Sequence, residues 1–541
     1  MLSFMYGKLH SACLHGIDGV VIQVEVDLAN GLPQTSIIGL PDSSIRESIE
    51  RVRAAIKNCG FTYPLKRVTV NLAPADLRKE GSSFDLAIAV GILLTSEQWT
   101  FSNAGQLLIL GELALNGTLR PITGVLPMVE QAKKEGYAGV ILPRENAPEA
   151  ALIGGIEVYG LQHLKELVQE GPDENIHTSE TGGATSFTVS LSNLRYDRSK
   201  PTSRTHVNGL QDEQLEDYRD VIGQQHIKRA LTIAAAGMHN ILLIGPPGTG
   251  KTMLMKRLPT ILPPLADQEA LTTTKIFSAA GKLKPSDGLM TRRPFRSPHH
   301  TISAGGLIGG GTIPKPGEVS LAHKGILFLD ELPEFSRHVL EVLRQPLEDR
   351  EVTISRARAV FTFPAHFMLA CSMNPCPCGY YGSDHPHQRC TCSVTRIAQY
   401  RARISGPLMD RIDLQVDVPR PKEWPGSATP ISSEQMRDQV YAAQTIQLER
   451  YSRLPFSWNS ELFGSFLRKH AVLDKDSAEL LQATIDTLGL SMRAYDRILK
   501  LARTIADLEA SDAIQSQHIA EAIQYRQLDR QYIAAEETTR L

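Results

Sequence analysis

Long apolar runs and a dense set of cysteines are both missing from this sequence. No stretch reaches the roughly 18 uninterrupted apolar residues that a membrane-spanning helix needs. The opening MLSFMYGKLHSACLHGIDG has no long apolar core of the kind that a secretory signal carries. Seven cysteines among 541 residues are too few for a disulfide scaffold. We therefore expect a cytoplasmic protein that does not act in a membrane.

A strong net charge and internal repeats are missing as well. The formal net charge is −2, so any contact with DNA must come from a local basic surface rather than from the field of the whole protein. The composition that is present, 42% apolar and 21% charged, is ordinary for a globular protein and excludes disorder as the main state. The length predicts about three domains.

The pattern of apolar and polar residues divides the chain into four segments. Residues 1–170 alternate strand-like and helix-like periods, as in an α+β or α/β domain. Residues 171–206 are rich in Ser, Thr, Gly and Asn and have no apolar period, which predicts a flexible linker. Residues 207–421 form a second α/β block, and 422–541 have the helical spacing of a lid.

One run, NILLIGPPGTGKTMLMKRL, predicts an ATP-binding P-loop. An apolar strand, the motif GxxxxGKT and a helical pattern follow one another in the required order. Backbone N–H groups can surround phosphate oxygens, Lys251 can reach the outer phosphates, and the Thr252 hydroxyl can bind Mg²⁺. A glycine turn that merely joins a strand to a helix is the alternative. The predicted ATP-binding residues are Gly245, Pro246, Pro247, Gly248, Thr249, Gly250, Lys251 and Thr252.

A second apolar strand, in GILFLDEL, ends in two carboxylates. We predict that Asp330 binds Mg²⁺ through water and that Glu331 polarises the water that attacks ATP. Carboxylates that end a strand can also be solvated groups without a role. Their position after a P-loop favours the catalytic interpretation, because the nucleotide site needs both halves.

Three further polar side chains are candidates for contact with the γ-phosphate. Asn374 ends the apolar strand in HFMLACSMNP and can orient the water or the γ-phosphate. Arg411 stands at a strand start, where a cation can reach the nucleotide of a neighbouring subunit, although an ion pair with Asp410 or Asp413 is the alternative. Arg493 stands in the first turn of a predicted helix, where a cation opposes the helix dipole, and this indicates a purpose such as phosphate sensing.

Four cysteines form two CxC pairs that are separated by eleven residues, and they predict a zinc site: Cys376, Cys378, Cys390 and Cys392. Two thiolate pairs can bind one Zn²⁺ from two sides. His385 and His387, in the loop between the pairs, are alternative ligands. The metal would hold the loop that follows Asn374, either to shape a DNA-facing surface or as a purely structural staple.

The sequence resembles the ComM/YifB family of magnesium-chelatase-like AAA+ ATPases in four motifs: RPFRSPHHTISAGGLIGGG, PKPGEVSLAHKGILFLDELPEF, LRQPLEDREVTISR and NPCPCG. The resemblance covers nearly the whole chain. It implies an AAA+ core with a helical lid, in which Asn374 is sensor 1, Arg411 is an arginine finger acting in trans and Arg493 is sensor 2. It also implies a hexameric ring that drives DNA branch migration during recombination and natural transformation.

Two basic segments are candidates for DNA binding. EVTISRARAVFTFP predicts a hairpin with Arg356 and Arg358 near its tip, at a position that resembles the pore hairpin of related ring motors. Solvated arginines without a role are the alternative. TRRPFRSPHHTIS combines an aromatic side chain with Arg292, Arg293 and Arg296, a combination that suits contacts with phosphates and bases.

The N-terminal segment resembles the proteolytic domain of Lon, which has the ribosomal S5 domain 2-like α+β fold, and the C-terminal domain of the recombination protein RadA. The resemblance rests on GELALNGTLRPITGVLPMVEQAKKEGYAGVILP. Lon-type peptidases use a Ser and Lys pair. Ser83 stands near the expected nucleophile position, but Pro127 stands where the lysine is expected and has no proton acceptor. We therefore expect a scaffold or DNA-guiding domain without peptidase activity.

Two classes of function fit these features. One is an ATP-driven motor on DNA, and the other is a chelatase-type ATPase that remodels a metal-insertion partner. The ATPase core is common to both classes and does not separate them. The four thiols, the hairpin with Arg356 and Arg358, and the RadA-like domain favour DNA, because a chelatase motor needs none of them.

Overall fold

The structure of the protein is a computed structural model, and it describes residues 6–168, 186–197, 216–284, 287–312, 314–356, 359–382, 389–420, 430–489 and 491–526. The chain divides into two compact units. The first comprises residues 1–209 and 270–290, and the second comprises 210–269 and 291–541. None of the helices in the described ranges is long and apolar enough to cross a membrane.

A mixed seven-stranded sheet is the centre of the first unit. Its two longest strands form an antiparallel hairpin, and alternate residues of the second strand are buried from Ile22 to Leu28. One face of that strand therefore lies in the core. From edge to edge the strands are Glu157–Leu161, Gly139–Pro143, Leu107–Ile109, Tyr6–His15, Asp18–Ala29, Arg67–Ala73 and Gln34–Ile38.

Helices and short strands complete the first unit. The helix Ser43–Asn58 begins after Asp42, whose carboxylate accepts a hydrogen bond from the Ile45 N–H at 2.8 Å and so caps the helix. The helix Asp85–Thr95 is buried on almost every side because its residues are nearly all apolar. The other elements are the helices Val125–Lys134 and Ala147–Ala150 and the short strands Trp99–Thr100, Glu112–Leu113 and Leu119–Arg120.

Part of the predicted linker is ordered on the first unit, so the prediction of a flexible linker is wrong for residues 186–197. The strand Phe187–Thr188 pairs with Trp99–Thr100, and the Phe187 ring meets Phe61 edge-on at 5.7 Å. Apolar side chains spaced along this polar stretch pack against the core: Phe187, Val189, Leu191 and Leu194. The remaining linker residues, 171–185 and 198–206, lie outside the described residues.

The first unit also includes a helix from much later in the chain, Asp267–Ala279, whose residues from Ala270 onward belong to it. Lys275 forms an ion pair with Glu130 at 2.6 Å, and the Ser278 hydroxyl donates to the buried Glu149 carboxylate at 2.5 Å. The sequence-based boundaries placed this helix in the ATPase block. Helical spacing alone does not say against which core a helix packs.

A parallel five-stranded sheet is the centre of the second unit. Its strands are, in spatial order, Phe295–Arg296, Ile326–Leu329, Met368–Met373, Ile241–Ile244 and Leu414–Asp417. The middle three are buried at every residue, as expected for strands covered on both faces. Because all five run in parallel, the residues that follow the middle three strands meet at one edge of the sheet.

Helices surround this sheet and make up the C-terminal part of the chain. Those before residue 421 are Gln225–Gly237, Lys251–Lys256, Ala304–Ile308, Glu318–Leu321, Arg337–Glu341, Arg344–Asp349, Val394–Arg401 and Gly406–Met409. Those after it are Ser433–Arg450, Gly464–His470, Lys475–Leu488, Met492–Leu508 and Ser516–Gln524. The second unit also has two antiparallel strand pairs, Gly309–Gly310 with Lys315–Pro316 and Glu351–Arg356 with Ala359–Pro364.

Candidate functional site

The P-loop joins the strand Ile241–Ile244 to the helix that begins at Lys251. Gly248 and Gly250 have φ angles of 77° and 84°, in the left-handed region that glycine adopts at little cost. A side chain at Gly245 would lie 2.3 Å from the Val418 carbonyl oxygen, so only glycine fits there. The sequence thus has glycine where the loop needs an unusual backbone or a close approach.

The Lys251 side chain folds under this loop. Its ammonium group donates to the carbonyl oxygens of Gly245 and Pro246 at 2.8 and 2.9 Å, and to the amide oxygen of Asn374 at 3.2 Å. Burial lowers the pKa of Lys251, and the carboxylates of Asp330 and Glu331 oppose that shift. A phosphate group would give this buried ammonium a charged partner in place of neutral carbonyls.

Asp330 is positioned by three donors. The Thr252 hydroxyl donates to one carboxylate oxygen at 2.7 Å, while the Glu331 N–H at 3.0 Å and the Ser372 hydroxyl donate to the other. The hydroxyl and the carboxylate predicted to hold Mg²⁺ are therefore adjacent. Sequence reasoning missed Ser372, and the available signal was a polar residue within an otherwise apolar strand.

Glu331 lies directly after Asp330 in an unusual backbone conformation. Its φ angle is 53°, which is uncommon for a residue other than glycine. Strain of this kind persists where the surrounding structure enforces it, and it is concentrated at functional sites. The residue is exposed, so its carboxylate can contact water at the edge of the sheet where the P-loop also lies.

The two predicted arginine contacts lie together at a different part of the second unit. Arg411 is buried, forms an ion pair with Glu348 and donates to the Pro407 carbonyl at 2.5 Å. The partner is thus neither of the two aspartates considered from sequence. Arg493 follows the cap Ser491, as predicted, and lies 3.9 Å from Asp410. Both arginines line one cavity of about 180 Å³, and neither has a hydrogen bond or ion pair with a P-loop residue in the described part of the chain.

The four clustered cysteines converge in space. Their sulfur atoms all lie within 4.8 Å of one another, and those of Cys376, Cys378 and Cys390 are 3.3 to 3.7 Å apart. A tetrahedral zinc site with Zn–S bonds of about 2.3 Å needs sulfur separations of about 3.8 Å. The donor set therefore fits Zn²⁺. The alternative ligands His385 and His387 lie outside the described residues.

The predicted basic hairpin is present, and in the second basic segment Arg293 and Arg296 have partners within the fold. Arg356 is exposed at the end of its strand and donates to the Gly311 carbonyl at 3.0 Å, while Arg358 lies outside the described residues. Arg293 is buried and donates to the Lys324 carbonyl, and Arg296 forms a bidentate ion pair with Glu318. The prediction of DNA contact is therefore wrong for Arg293, which is buried, whereas for Arg296, which is partly exposed beside Glu318, it stays a prediction.

The peptidase-like positions of the first unit do not form a Ser and Lys pair. The Ser83 hydroxyl is buried and donates to the Ala12 carbonyl at 3.0 Å. Pro127 is buried in the helix Val125–Lys134. Pro127 has no basic group, so it cannot activate the Ser83 hydroxyl as the lysine of a Ser and Lys pair would.

The sequence matches known proteins over most of its length. Residues 217–424, 24–146 and 430–526 match families described as magnesium chelatase, subunit ChlI; subunit ChlI of Mg-chelatase; and magnesium chelatase, subunit ChlI C-terminal. YifB of Salmonella typhimurium is 44% identical over 532 residues, 96% of this chain and 97% of the relative. Competence protein ComM of Haemophilus influenzae is 42% identical over 527 residues, 96% of this chain and 97% of the relative. Lon protease 2 of Bacillus subtilis is 28% identical over 170 residues, only 28% of this chain and 30% of the relative.

Proposed function

The chain belongs to the ComM/YifB family of magnesium-chelatase-like proteins, and on that premise we propose that it is an ATP-driven ring motor that moves branch points in DNA. The observation that supports ATP hydrolysis most directly is the convergence of the P-loop with the residues that follow the strands Met368–Met373 and Ile326–Leu329, which are the next two strands on one side of it in the sheet. Lys251 meets Asn374, and Thr252 meets Asp330. These contacts bring a phosphate-binding ammonium group next to a magnesium-binding pair.

Each residue of the site has a role in this proposal. Lys251 and the N–H groups of the P-loop bind the phosphates of ATP, and Thr252 and Asp330 hold Mg²⁺, which neutralises phosphate charge when bound. Glu331 orients the attacking water, and Asn374 holds that water or the γ-phosphate in line. The Ser372 hydroxyl keeps the Asp330 carboxylate in its orientation.

We further propose that Arg411 and Arg493 act on the nucleotide of a neighbouring subunit in a homo-oligomer, most simply a hexamer. Both arginines line the same cavity, and within the described residues neither bonds to the P-loop of its own chain. An arginine that completes the site of a neighbouring subunit must not be bonded to the P-loop of its own chain. Arg411 must exchange Glu348 for a phosphate when a neighbour docks.

The assignment to DNA rests on other features. Arg356 is exposed at the end of a hairpin strand, where an arginine can contact the DNA backbone together with Arg358. A relative that is 42% identical over nearly its whole length is named a competence protein, which supports a role in natural transformation and recombination. We also propose that the four clustered thiolates bind one structural Zn²⁺.

A chelatase-type ATPase that remodels a metal-insertion partner is the second candidate. The family descriptions matched by residues 217–424 and 430–526 name magnesium chelatase, which favours it. The four-thiol cluster and the exposed Arg356 hairpin favour the DNA motor instead.

A synthetic four-way DNA junction tests the proposal. We expect the protein with ATP and Mg²⁺ to dissociate the junction into duplexes, and we expect Lys251→Ala and the double variant Arg356→Ala/Arg358→Ala to fail. Arg468→Ala, which changes an exposed arginine in the helix Gly464–His470 rather than in the hairpin, is the control and should retain activity. ATP hydrolysis without junction binding or dissociation would overturn the DNA motor and favour the chelatase-type function.

A further inference from the structure

The loop that carries the first cysteine pair packs directly on the P-loop. Gly379 has a φ angle of 84°, and a Cβ atom built on it would lie 2.6 Å from Cδ of Pro247 and 3.1 Å from Cγ. The backbone of the cysteine loop therefore touches the proline ring. Only glycine allows this approach, because any side chain would push the two loops apart.

The same loop is continuous with the residue predicted to sense the γ-phosphate. Cys376 comes two residues after Asn374, whose amide oxygen accepts a hydrogen bond from Lys251. A displacement of the cysteine loop would therefore reach two sides of the nucleotide site, at Asn374 and at Pro247.

The second cysteine pair is connected to the same region through the helix Val394–Arg401. Ser393, next to Cys392, caps this helix by accepting a hydrogen bond from the Arg396 N–H. At the other end of the helix, Arg401 donates to the Pro375 carbonyl at 3.3 Å and lies over the Tyr381 ring at 5.3 Å. The two cysteine pairs thus lie on segments that meet again just after the strand Met368–Met373.

We propose that the zinc centre is part of the nucleotide-binding apparatus: bound Zn²⁺ holds Gly379 against Pro247 and Asn374 beside Lys251, so ATP affinity depends on the metal. The inference rests on the zinc site proposed above. Four thiols without a metal attract one another only weakly, whereas four Zn–S bonds cross-link residues 376–378 to 390–392. Loss of the metal releases the surface on which Pro247 packs and weakens nucleotide binding.

Two glycines of the cysteine loop provide a matched test. Gly379 and Gly382 both have a positive φ angle, 84° and 74°, so Gly→Ala carries similar backbone strain at each. A Cβ atom at Gly382 meets nothing within 4 Å, whereas one at Gly379 meets Pro247. We expect Gly379→Ala to weaken binding of a fluorescent ATP analogue by roughly tenfold, and we expect Gly382→Ala to bind like wild type.

Removal of the metal tests directly whether ATP affinity depends on bound zinc. Zinc content is measured by atomic absorption, and binding of the ATP analogue is measured before chelation, after chelation and after Zn²⁺ is returned. We expect a reversible, roughly tenfold loss of affinity, with a permanent loss in Cys390→Ser. If the wild type contains zinc but its affinity for the analogue does not change on chelation, the inference is overturned and the zinc site stands. If the wild type contains no zinc and takes up none, both are overturned.

Discussion

The ammonium nitrogen of Lys251 lies 3.2 Å from the amide oxygen of Asn374, although 123 positions separate the two residues in the chain. The strands that precede them, Ile241–Ile244 and Met368–Met373, are hydrogen-bonded neighbours that run in parallel. Their ends therefore meet at one edge of the sheet. On the proposed function, the outer phosphates of ATP bind where these two side chains meet.

Glu331→Gln should separate ATP binding from ATP hydrolysis. Gln keeps the size of the side chain but removes the negative charge that we propose acts on the attacking water, so we expect turnover to fall by roughly 10²- to 10³-fold while the affinity for ATP stays near that of wild type. Steady-state hydrolysis and nucleotide-binding titrations measure the two quantities. Glu334→Gln, three residues later, is the control and should hydrolyse ATP normally. A normal rate for Glu331→Gln would remove Glu331 from the mechanism.

Ser372→Ala should change the requirement for magnesium. The Ser372 hydroxyl donates to one carboxylate oxygen of Asp330, and Thr252 donates to the other. Without Ser372 the carboxylate loses an orienting partner, so we expect the Mg²⁺ concentration for half-maximal hydrolysis to rise by roughly 10-fold, with turnover recovered at high Mg²⁺. A magnesium titration of ATPase activity measures this. An unchanged titration would show that Asp330 does not depend on Ser372.

Arg411→Ala and Lys251→Ala should complement each other when mixed. The first variant retains an intact P-loop without the arginine, and the second retains the arginine without a working P-loop. If Arg411 acts in trans, roughly a quarter of the interfaces in a random one-to-one mixture combine both intact halves and hydrolyse ATP.

The control replaces the second protein with the double variant Lys251→Ala/Arg411→Ala, which has neither half and should restore nothing. Equal, low activity in both mixtures would mean that Arg411 serves only its own chain, for instance through its ion pair with Glu348.

His323 should make the second unit sensitive to acid. Burial lowers the pKa of His323 to about 3, and its Nδ1 accepts a hydrogen bond from the His366 N–H at 3.2 Å, which requires an unprotonated Nδ1 atom. The unfolded chain takes up this proton below about pH 6.5 and the folded chain does not, so stability is lost as the pH falls from about 6.5 toward 3. At pH 5 the loss from this group is about 2 kcal/mol.

Thermal unfolding at pH 7.5 and pH 5 measures this effect. His323→Asn is the matched variant, because its amide oxygen can accept the same hydrogen bond but does not titrate. We expect its melting temperature to fall less between the two pH values than that of wild type. An equal fall in both proteins would assign the acid sensitivity to other groups, such as His366, whose pKa burial also lowers.

Contacts between distant parts of the chain were the main features that sequence reasoning did not find. The ion pair of Arg411 is with Glu348 rather than with a neighbouring aspartate, Arg293 is buried beside Glu269, and Arg296 forms an ion pair with Glu318. An arginine has the same appearance in a sequence whether it is solvated, paired or buried. Its partner is decided by the packing of elements that are far apart in the chain.

Local features were predictable because their physical causes lie within short stretches of sequence. Glycine spacing predicted the P-loop, an apolar run ending in two carboxylates predicted the strand before Asp330, and two CxC pairs predicted the converging thiols. Only the tertiary structure decided that the helix Asp267–Ala279 packs largely into the first unit and that Gly379 rests on Pro247. Burial of apolar surface is non-directional, so the sequence specifies that a helix or loop must be covered, and the assembled fold determines what covers it.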